Sequence, residues 1–404
     1  MKAAQDRTCD APVRLTEKAS QLAAKGHPWF YRDDLQGSVE SRHGTLVRVA
    51  SDGGHDLGLA FCSARSRLAL RRCGVWPGNH VPSLEEFFHT RLETAWEQRV
   101  HFTEEPRGVR IVNGDADWLP GLIVDQYGPC LVLQSSTALV ENALGCIVPW
   151  LKDRVGAESI LARNDIAVRR REDLPEEIRL LEGRRVESTW IQEHGIRHRV
   201  QLYTGQKTGF YLDQRPARRW VKEHADGRRS LDLFCYQGGF SLAALAGGAS
   251  EVTAVDQSEA ALAELTQAAQ ANGLSAPVTE CADVFDWVRA ARRRDERFDL
   301  IVLDPPAFAR SRRERDGALR GYRDLNRQAL RLLAPGGYLL TCSCSHHVTG
   351  GLFEGVLRQA ASELTFPVLI RGRIAAGEDH PVWVSLPETE YLKVVVLQRP
   401  QPCR

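Results

Sequence analysis

The stretch Phe298-Asp-Leu-Ile-Val-Leu-Asp-Pro-Pro-Ala-Phe308 decides the fold, together with a second run, Gly337-Tyr-Leu-Leu-Thr-Cys-Ser-Cys-Ser345. Each is short and almost wholly apolar, and each ends in polar, chemically capable residues. Apolar runs of this length, bounded by glycine and proline, are typical of strands that are buried on both faces of a parallel sheet. Ligands collect just beyond the carboxyl ends of such strands. We therefore expect Asp304 to meet Cys342 and Cys344 at one edge of a sheet.

The composition is that of an ordinary globular protein. The chain has 404 residues, more than one hydrophobic core usually serves, so we expect two or three domains. Hydrophobic residues make up 43% and charged residues 26% of the chain. Because the formal net charge is only +1, a nucleic-acid partner would have to bind local basic patches.

The ten cysteines are scattered and form no CxxC pair, so the structural-zinc signature is missing and we predict no metal site. The N-terminus lacks the apolar core of a signal peptide, and no apolar run is long enough to span a membrane. Free thiols in a reducing cytoplasm are the simplest interpretation, and they permit a thiolate nucleophile.

Three domains follow from the changes of pattern along the chain. Residues 1–10 are typical of a loose tail. Short alternating runs in 11–80, such as Leu46-Val-Arg-Val-Ala50, predict a small β-barrel or sandwich. Its arginines form either a solvated charged face or an RNA contact; they are Arg65, Arg67, Arg71 and Arg72. Residues 81–203 begin with a helical pattern at 84–100 and continue as strand-like runs around a helix at 139–155, which predicts a small α+β domain.

Residues 204–404 form the third predicted domain, where strand and helix alternate strictly from about residue 229. This alternation predicts a doubly wound α/β fold with right-handed crossovers. The first strand leads into Gly238-Gly239, a turn that lets the backbone approach a ligand at a helix N-terminus. Neither the GxGxxG fingerprint nor a P-loop is present. Asp256 ends the second strand, where a carboxylate can accept both ribose hydroxyls, and Asp283 follows the third.

An acid before a Gly-Gly turn, acids after strands 2 and 3, and Asp-Pro-Pro after strand 4 resemble the class I S-adenosylmethionine-dependent methyltransferases. The resemblance implies a Rossmann-like, seven-stranded domain with S-adenosylmethionine as cofactor. The binding residues that it implies are Asp232, Phe234, Gly238, Gly239, Asp256, Asp283 and Asp304.

Two kinds of methyl acceptor fit these residues. Amine-methylating relatives carry an aromatic residue directly after Asp-Pro-Pro, but here Ala307 intervenes before Phe308. Carbon 5 of a pyrimidine is a poor nucleophile until a thiolate adds to carbon 6. A cysteine at the end of strand 5 suits that role, although a cysteine at a sheet edge is more often an inert packing residue.

Motifs along nearly the whole chain resemble the bacterial 23S ribosomal RNA cytosine-5 methyltransferases of the large-subunit methyltransferase I type. The most distinctive is Gly205-Gln-Lys-Thr-Gly-Phe-Tyr-Leu-Asp-Gln-Arg215. The others are His27-Pro-Trp-Phe30, Arg163-Asn-Asp-Ile-Ala-Val-Arg169, Glu193-His-Gly195, Asp304-Pro-Pro-Ala-Phe308, Gly321-Tyr-Arg-Asp-Leu-Asn326 and Ser343-Cys-Ser345. This resemblance implies an N-terminal PUA domain, a small middle domain and a C-terminal methyltransferase domain.

The resemblance also implies roles for individual residues. Cys344 is the expected nucleophile, with Cys342 in reserve because alternate strand residues face the same side. Asp304 would hold the cytosine N3 and amino edge, while the base that removes the carbon-5 proton is unassigned. Residues 206–215 would pack over the donor site, with Asp213 and Gln214 near its methionine end and Arg215 near phosphate or the donor carboxylate.

RNA is the expected partner, and membrane is not. Two arginine clusters, 169–171 and 310–315, would bind its backbone, and a homodimer is compatible with the sequence. Two alternatives remain open. One is a methyltransferase for another RNA atom, in which the cysteines are inert. The other is a non-catalytic RNA-binding assembly factor with a vestigial donor pocket.

Overall fold

A computed structural model describes residues 11–78, 80–309 and 311–402. These residues divide into two compact units. The first comprises 11–191, 200–212 and 378–389, and the second comprises 192–199, 213–377 and 390–402. The predicted tail at 1–10 lies outside the described residues. No helix in the described ranges has the length and apolarity needed to cross a membrane.

The first unit begins with a five-stranded mixed sheet of order β1-β3-β4-β5-β2. Its elements are β1 Val13–Arg14, α1 Glu17–Ala24, β2 Trp29–Tyr31, β3 Thr45–Ala50, β4 Asp56–Cys62 and β5 Leu68–Gly74. The three longer strands lie where the alternating runs predict them. Side chains from these strands and from α1 share a buried core that includes Ala19, Val49 and Leu70.

The same unit contains a second five-stranded sheet, of order β10-β9-β8-β7-β6. Its elements are α2 Leu84–Glu97, β6 Gly108–Asn113, β7 Leu122–Tyr127, β8 Cys130–Ser135, α3 Ala138–Asn142, α4 Leu144–Val155, β9 Ser159–Arg163 and β10 Ile178–Gly183. The strands are antiparallel except β8 and β9, which α3 and α4 connect. The single helix predicted over 139–155 is thus two helices that meet at Ala143. A two-stranded hairpin follows, formed by β11 Ser188–Glu193 and β12 Ile196–Gln201.

The second unit is built on a seven-stranded sheet of order β15-β14-β13-β16-β17-β19-β18. Strand β19 runs antiparallel to both β17 and β18, and the other neighbouring strands pair in parallel. The strands are β13 Arg229–Leu233, β14 Glu251–Asp256, β15 Val278–Cys281, β16 Phe298–Leu303, β17 Leu333–Ser343, β18 Leu369–Ile374 and β19 Lys393–Gln398. The helices are α5 Arg215–His224, α6 Gly239–Ala246, α7 Glu259–Ala271, α8 Val284–Arg293, α9 Arg315–Leu332 and α10 Gly350–Ser362.

Strand β16 shows why residues 300–303 are all apolar. Ile301 and Leu303 pack into one hydrophobic cluster, and Leu300 and Val302 pack into another. Both faces of the strand are therefore covered over residues 300–303, so each of these positions needs an apolar side chain. Since β13 and β16 are neighbours although they are distant in sequence, the strand order reverses between them. A reversal of this kind opens a crevice beyond the carboxyl ends of the strands.

Local signals predict some boundaries well. The sequence predicts a helix over Ser258–Asn272 with Ser258 as its cap. In the structure Ser258 accepts a hydrogen bond from the Ala261 N–H at 3.2 Å, and α7 ends at Ala271 with Asn272 as its C-cap. Weaker strands were missed: β2, β10 and β18 carry no clear alternating pattern. The three domain boundaries stay predictions.

Candidate functional site

The loop after β13 is a tight backbone turn at the carboxyl edge of the sheet. Three of its residues have positive φ angles: Phe234 (63°), Tyr236 (48°) and Gly238 (74°). The first two are strained, because a side chain disfavours this region. A Cβ atom at Gly238 would lie 2.2 Å from Cδ1 of Leu265, and together with the positive φ angle this close approach favours glycine. The turn delivers Gly239 as the first residue of α6.

Asp232 lies in β13 directly beneath this turn and is 3% exposed. Its Oδ2 accepts a hydrogen bond from the Ser241 hydroxyl at 2.6 Å, whereas its Oδ1 is buried without a partner among the described residues. Burial raises the pKa of Asp232 to about 7, and the carboxylates of Asp304 and Asp256 add to the rise. A cationic ligand at this edge would favour the ionised form.

Asp256 ends β14, as predicted, and its carboxylate orders the backbone around it. It accepts hydrogen bonds from the Tyr236 N–H at 2.8 Å and the Ser258 N–H at 2.9 Å. Asp283 instead caps α8 through the Asp286 N–H at 3.1 Å, and its other oxygen accepts from Gln257 at 2.7 Å. Asp256 is thus the last residue of β14, and Asp283 lies two residues beyond the end of β15, as the sequence predicts.

Asp304 follows β16, and its N–H donates to the carbonyl of Leu233 at 3.3 Å, across the reversal point. Its Oδ2 accepts a hydrogen bond from the Gln214 Nε2 at 3.1 Å. Gln214 is buried, and its Oε1 has no partner in the described structure. The neighbouring Asp213 is buried as well and accepts from the Tyr391 hydroxyl at 2.6 Å. The structure therefore brings Asp213 and Gln214 to the unit that contains Asp304.

Arg215 opens α5, and its Nε lies 3.5 Å from a carboxylate oxygen of Glu193. That oxygen and its partner accept two shorter bonds from Arg218, at 2.6 and 2.8 Å, in a buried pair. Burial alone would raise the pKa of Glu193, but Arg218 outweighs it and the pKa falls to about 2. Neither Arg218 nor this pairing was recognised from the sequence.

Cys342 and Cys344 differ sharply in environment. Cys342 is 0% exposed and belongs to the hydrophobic cluster on one face of the sheet. Burial raises the pKa of its thiol well above the usual value, and Asp304 adds to the effect. Cys344 lies one residue beyond β17 and is partly exposed. Of the two thiols, only that of Cys344 can reach a substrate without leaving the core.

The turn that carries Cys344 is held from two sides. The Ser345 hydroxyl lies 3.0 Å from that of Tyr322 on α9. The Ser345 carbonyl accepts a hydrogen bond from the Lys393 ammonium of β19 at 2.8 Å. Lys393 was not singled out from the sequence, although a lone lysine at the head of the apolar run Lys393-Val-Val-Val-Leu397 is a signal of a buried charge.

Phe308 packs against Tyr322, with ring centroids 4.7 Å apart. It also approaches Phe285 at 6.2 Å, so both neighbours are protein side chains. This packing agrees with the absence of an aromatic residue directly after Asp304-Pro-Pro. The arrangement gives no support to a base-stacking role for Phe308.

Residues 206–212 belong to the first unit, where Thr208 donates to Asp125 at 2.6 Å, whereas residues 213–215 share the unit of Asp304. The packing of residues 206–212 over the donor site stays a prediction. Arg169 is 0% exposed and donates to the carbonyls of Ser135 and Pro175, so its expected contact with RNA was wrong. Arg310 lies outside the described residues.

The residues at the carboxyl edge fit S-adenosylmethionine. Its ammonium and sulfonium groups are cationic, and its ribose hydroxyls donate hydrogen bonds. In the described structure, three buried acceptor oxygens near the turn lack partners; they belong to Asp232, Gln214 and Gln237. Acceptors without donors are costly when buried. A ligand that brings donors and positive charge would satisfy them.

Family models match two parts of the chain. A model of S-adenosylmethionine-dependent methyltransferases matches residues 157–370, and a model of PUA-like domains matches residues 13–73. Together with the seven-stranded sheet, these matches confirm the predicted fold class.

Similar proteins cover almost the whole chain. The ribosomal RNA large subunit methyltransferase I of Aeromonas salmonicida is 37% identical over 394 residues, which are 96% of this chain and 98% of that protein. Its counterpart from Photobacterium profundum is 37% identical over 390 residues, which are 94% of this chain and 97% of that protein. The crystal structure of SMU.776 complexed with SAH has a TM-score of 0.82, with 24% identity over 96% of this chain and 99% of that one. That likeness supports the fold alone.

Proposed function

The chain belongs to the S-adenosylmethionine-dependent methyltransferases, in the ribosomal RNA large subunit methyltransferase I family, and on this premise we propose that it forms 5-methylcytosine in 23S ribosomal RNA. The observation that carries the proposal is the position of Cys344. Its partly exposed thiol follows β17, the strand that neighbours β16 and the Asp304 turn. A nucleophile beside an acid is what carbon-5 methylation of cytosine requires.

The proposed reaction proceeds through a covalent adduct with the base. The Cys344 Sγ adds to carbon 6 of cytosine, which makes carbon 5 electron-rich. When bound, S-adenosylmethionine would supply the methyl group to carbon 5 as its own S–CH3 bond breaks, and it would leave as S-adenosylhomocysteine. A base then removes the carbon-5 proton, the Sγ–carbon 6 bond breaks, and the thiolate is regenerated. Asp304 would hold the N3 and amino edge of the base, while Gln214 orients its carboxylate from 3.1 Å.

We assign donor binding to the residues around the β13 turn. Asp232, Phe234, Gly238 and Gly239 would surround the methionine part, and Asp256 would accept from the ribose hydroxyls. Asp283 would meet the adenine, and Asp213, Gln214 and Arg215 would close over the site. The buried oxygens of Asp232 and Gln214 that lack partners among residues 11–78, 80–309 and 311–402 support this assignment.

Ribosomal RNA as substrate follows from the names of the similar proteins and from the PUA-like match. The target base would have to be turned out of its stack to reach Cys344. Nothing in the comparisons supports the homodimer. Every described cysteine is free, which is consistent with a reducing compartment such as the cytoplasm.

Bisulfite mapping of cytosine methylation tests the proposal. Full-length protein and S-adenosylmethionine are incubated with unmodified 23S RNA, supplied both free and in assembled large subunits. We expect methylation at a discrete site that Cys344→Ala reduces by at least about 10³-fold. Cys281→Ala, which removes an exposed thiol in the same unit, serves as the matched control and should methylate normally.

RNA that carries 5-fluorocytidine supplies a second readout. With fluorine in place of hydrogen at carbon 5, there is no proton for the base to remove, and the covalent adduct cannot break down. We therefore expect a denaturant-resistant complex with the wild type but not with Cys344→Ala. An unchanged bisulfite map with the wild-type protein would overturn the proposed substrate. Full methylation by Cys344→Ala would overturn the covalent mechanism and favour another acceptor atom.

A further inference from the structure

Lys393 is a buried lysine next to the proposed nucleophile. It is the first residue of β19, directly opposite Ser343 in the antiparallel pair with β17, and it is 9% exposed. Lysine is rarely buried unless its charge has a partner. The described structure contains no carboxylate oxygen within 4.0 Å of its Nζ. Its positive charge is therefore not neutralised by a close ion pair.

The ammonium is held in place by two backbone carbonyls. It donates to Ser345 O at 2.8 Å and to Tyr391 O at 2.6 Å. The first contact fixes the residue that follows Cys344, so the charge is anchored on the same turn as the thiol. The second ties the turn to the residue whose hydroxyl binds Asp213.

Electrostatics couple Lys393 to Cys344. Burial lowers the pKa of Lys393 to about 8, and the charges of Cys344 and Glu390 act in the opposite direction. The electrostatic interaction between two ionisable groups is mutual. A thiolate that raises the pKa of an ammonium therefore has its own pKa lowered by that ammonium. Lys393 is thus the cation that the thiolate of Cys344 faces from β19. Two other titratable groups also interact with Cys344, Tyr322 of α9 and Cys342 of β17. Glu390 contributes a negative charge next to Lys393, and the rings of His346 and Tyr391 lie 5.5 Å apart.

We propose that Lys393 is a positioning residue that anchors the 343–345 turn and favours the thiolate of Cys344 through its ammonium charge. The thiol then ionises at a lower pH than that of an exposed cysteine, which raises the fraction of nucleophile at neutral pH. The inference rests on the proposed function only for the role of Cys344. The ionisation itself is independent of RNA and donor.

Alkylation with iodoacetamide across a range of pH, with the reaction at each cysteine followed by mass spectrometry of its peptide, tests the proposal. In wild-type protein we expect the midpoint for Cys344 to lie below that of Cys281, the exposed reference in the same sample. Lys393→Met should raise the Cys344 midpoint by about one pH unit, which corresponds to a roughly tenfold lower rate of alkylation at neutral pH. Lys393→Arg keeps the positive charge and should retain a low midpoint.

Several outcomes would overturn the proposal. One is a Cys344 midpoint at or above that of Cys281 in the wild type, a measurement that needs no variant. Another is the same midpoint in Lys393→Met as in the wild type. Equal changes in Lys393→Arg and Lys393→Met would mean that the side chain only supports the turn. If Cys344→Ala still methylates while these shifts occur, the proposed function fails and the electrostatic coupling stands.

Discussion

The carboxyl group of Asp232 is buried, and one of its oxygens has no partner in the described parts of the chain, so its charge costs stability when no ligand is bound. The pKa is raised to about 7, above the unfolded value near 3.9. Because the pKa of this acid is higher in the folded protein than in the unfolded chain, its contribution to the free energy of unfolding is fully present below the unfolded pKa. That contribution is lost as the pH rises through the folded pKa. We therefore expect Asp232→Asn to gain stability over the ligand-free wild type between pH 5 and 8, by up to ~4 kcal/mol.

Denaturant unfolding of both proteins at pH 5 and pH 8, without ligand, measures this gain. The exposed Asp153→Asn on α4 is the control and should follow the wild type at both pH values. Calorimetry should show weaker binding of S-adenosylmethionine to Asp232→Asn. An identical pH dependence of Asp232→Asn and the wild type would contradict the prediction.

Cys342 separates a packing thiol from a reactive one. Cys342 is fully buried, and its thiol lies beside Gln214 and Asp304 at the edge of the apolar cluster. Cys342→Ala removes one buried sulfur and should cost about 1 kcal/mol of stability. We expect its methylation rate to stay within a few-fold of the wild type at a temperature where both are folded. Loss of methylation in a folded Cys342→Ala protein would restore Cys342 as a participant.

At the scale of elements, the pair of Glu193 and Arg218 joins the hairpin of β11 and β12 to α5. Both side chains are 4% exposed, so removing one charge leaves the other buried and uncompensated. We expect Glu193→Gln to lower the free energy of unfolding by ~3 kcal/mol. Glu223→Gln on the same helix breaks an exposed pair with Arg219 and should cost less than about 1 kcal/mol.

The pair also has a predictable pH dependence. The pKa of Glu193 is lowered to about 2, so its stabilising contribution is present above its unfolded value near 4.5 and is lost as pH falls towards 2. Thermal melts of the wild type and Glu193→Gln should therefore converge in acid. Melting curves that stay equally far apart from pH 7 down to pH 2 would show that the pair is not the source of the difference.

At the scale of the whole molecule, a net charge of +1 means that RNA binding depends on local arginines and not on overall attraction. The structure removes Arg169 from that group, because its guanidinium is buried and donates to backbone carbonyls. Arg170 and Arg171 are exposed, and of these Arg170 pairs with Glu176. They are the members of the 169–171 cluster that can contact phosphate.

The salt dependence of RNA affinity tests this assignment. Each phosphate contact contributes about −0.7 to −0.9 to the slope of log affinity against log salt. We expect the double variant Arg170→Ala, Arg171→Ala to make that slope shallower by up to ~1.5. Arg358→Ala, an exposed arginine on α10, is the control. Equal slopes for the wild type and the double variant would exclude this cluster from the RNA contact.

Much of the second unit follows from the sequence by itself. Several of its features depend only on local burial and chain direction. They are the mostly apolar runs at 298–303 and 339–342, the capped helix at Glu259–Ala271 and the acids at the strand ends. These properties are encoded within a few residues. Strand ends in a parallel sheet share one edge, so the meeting of Asp304 with the cysteine turn was predictable without coordinates. The family motifs supplied the expected roles.

Tertiary structure alone decided which charged and thiol side chains lie inside. The pattern Arg169-Arg-Arg171 does not distinguish the buried arginine from its exposed neighbours, because burial there depends on carbonyls of Ser135 and Pro175. Likewise, Lys393 reaches Ser345 across 48 residues of chain, through the pairing of β17 with β19. The physical reason is common to both. Local periodicity sets which face of an element is covered, whereas the partners that cover it come from distant parts of the chain.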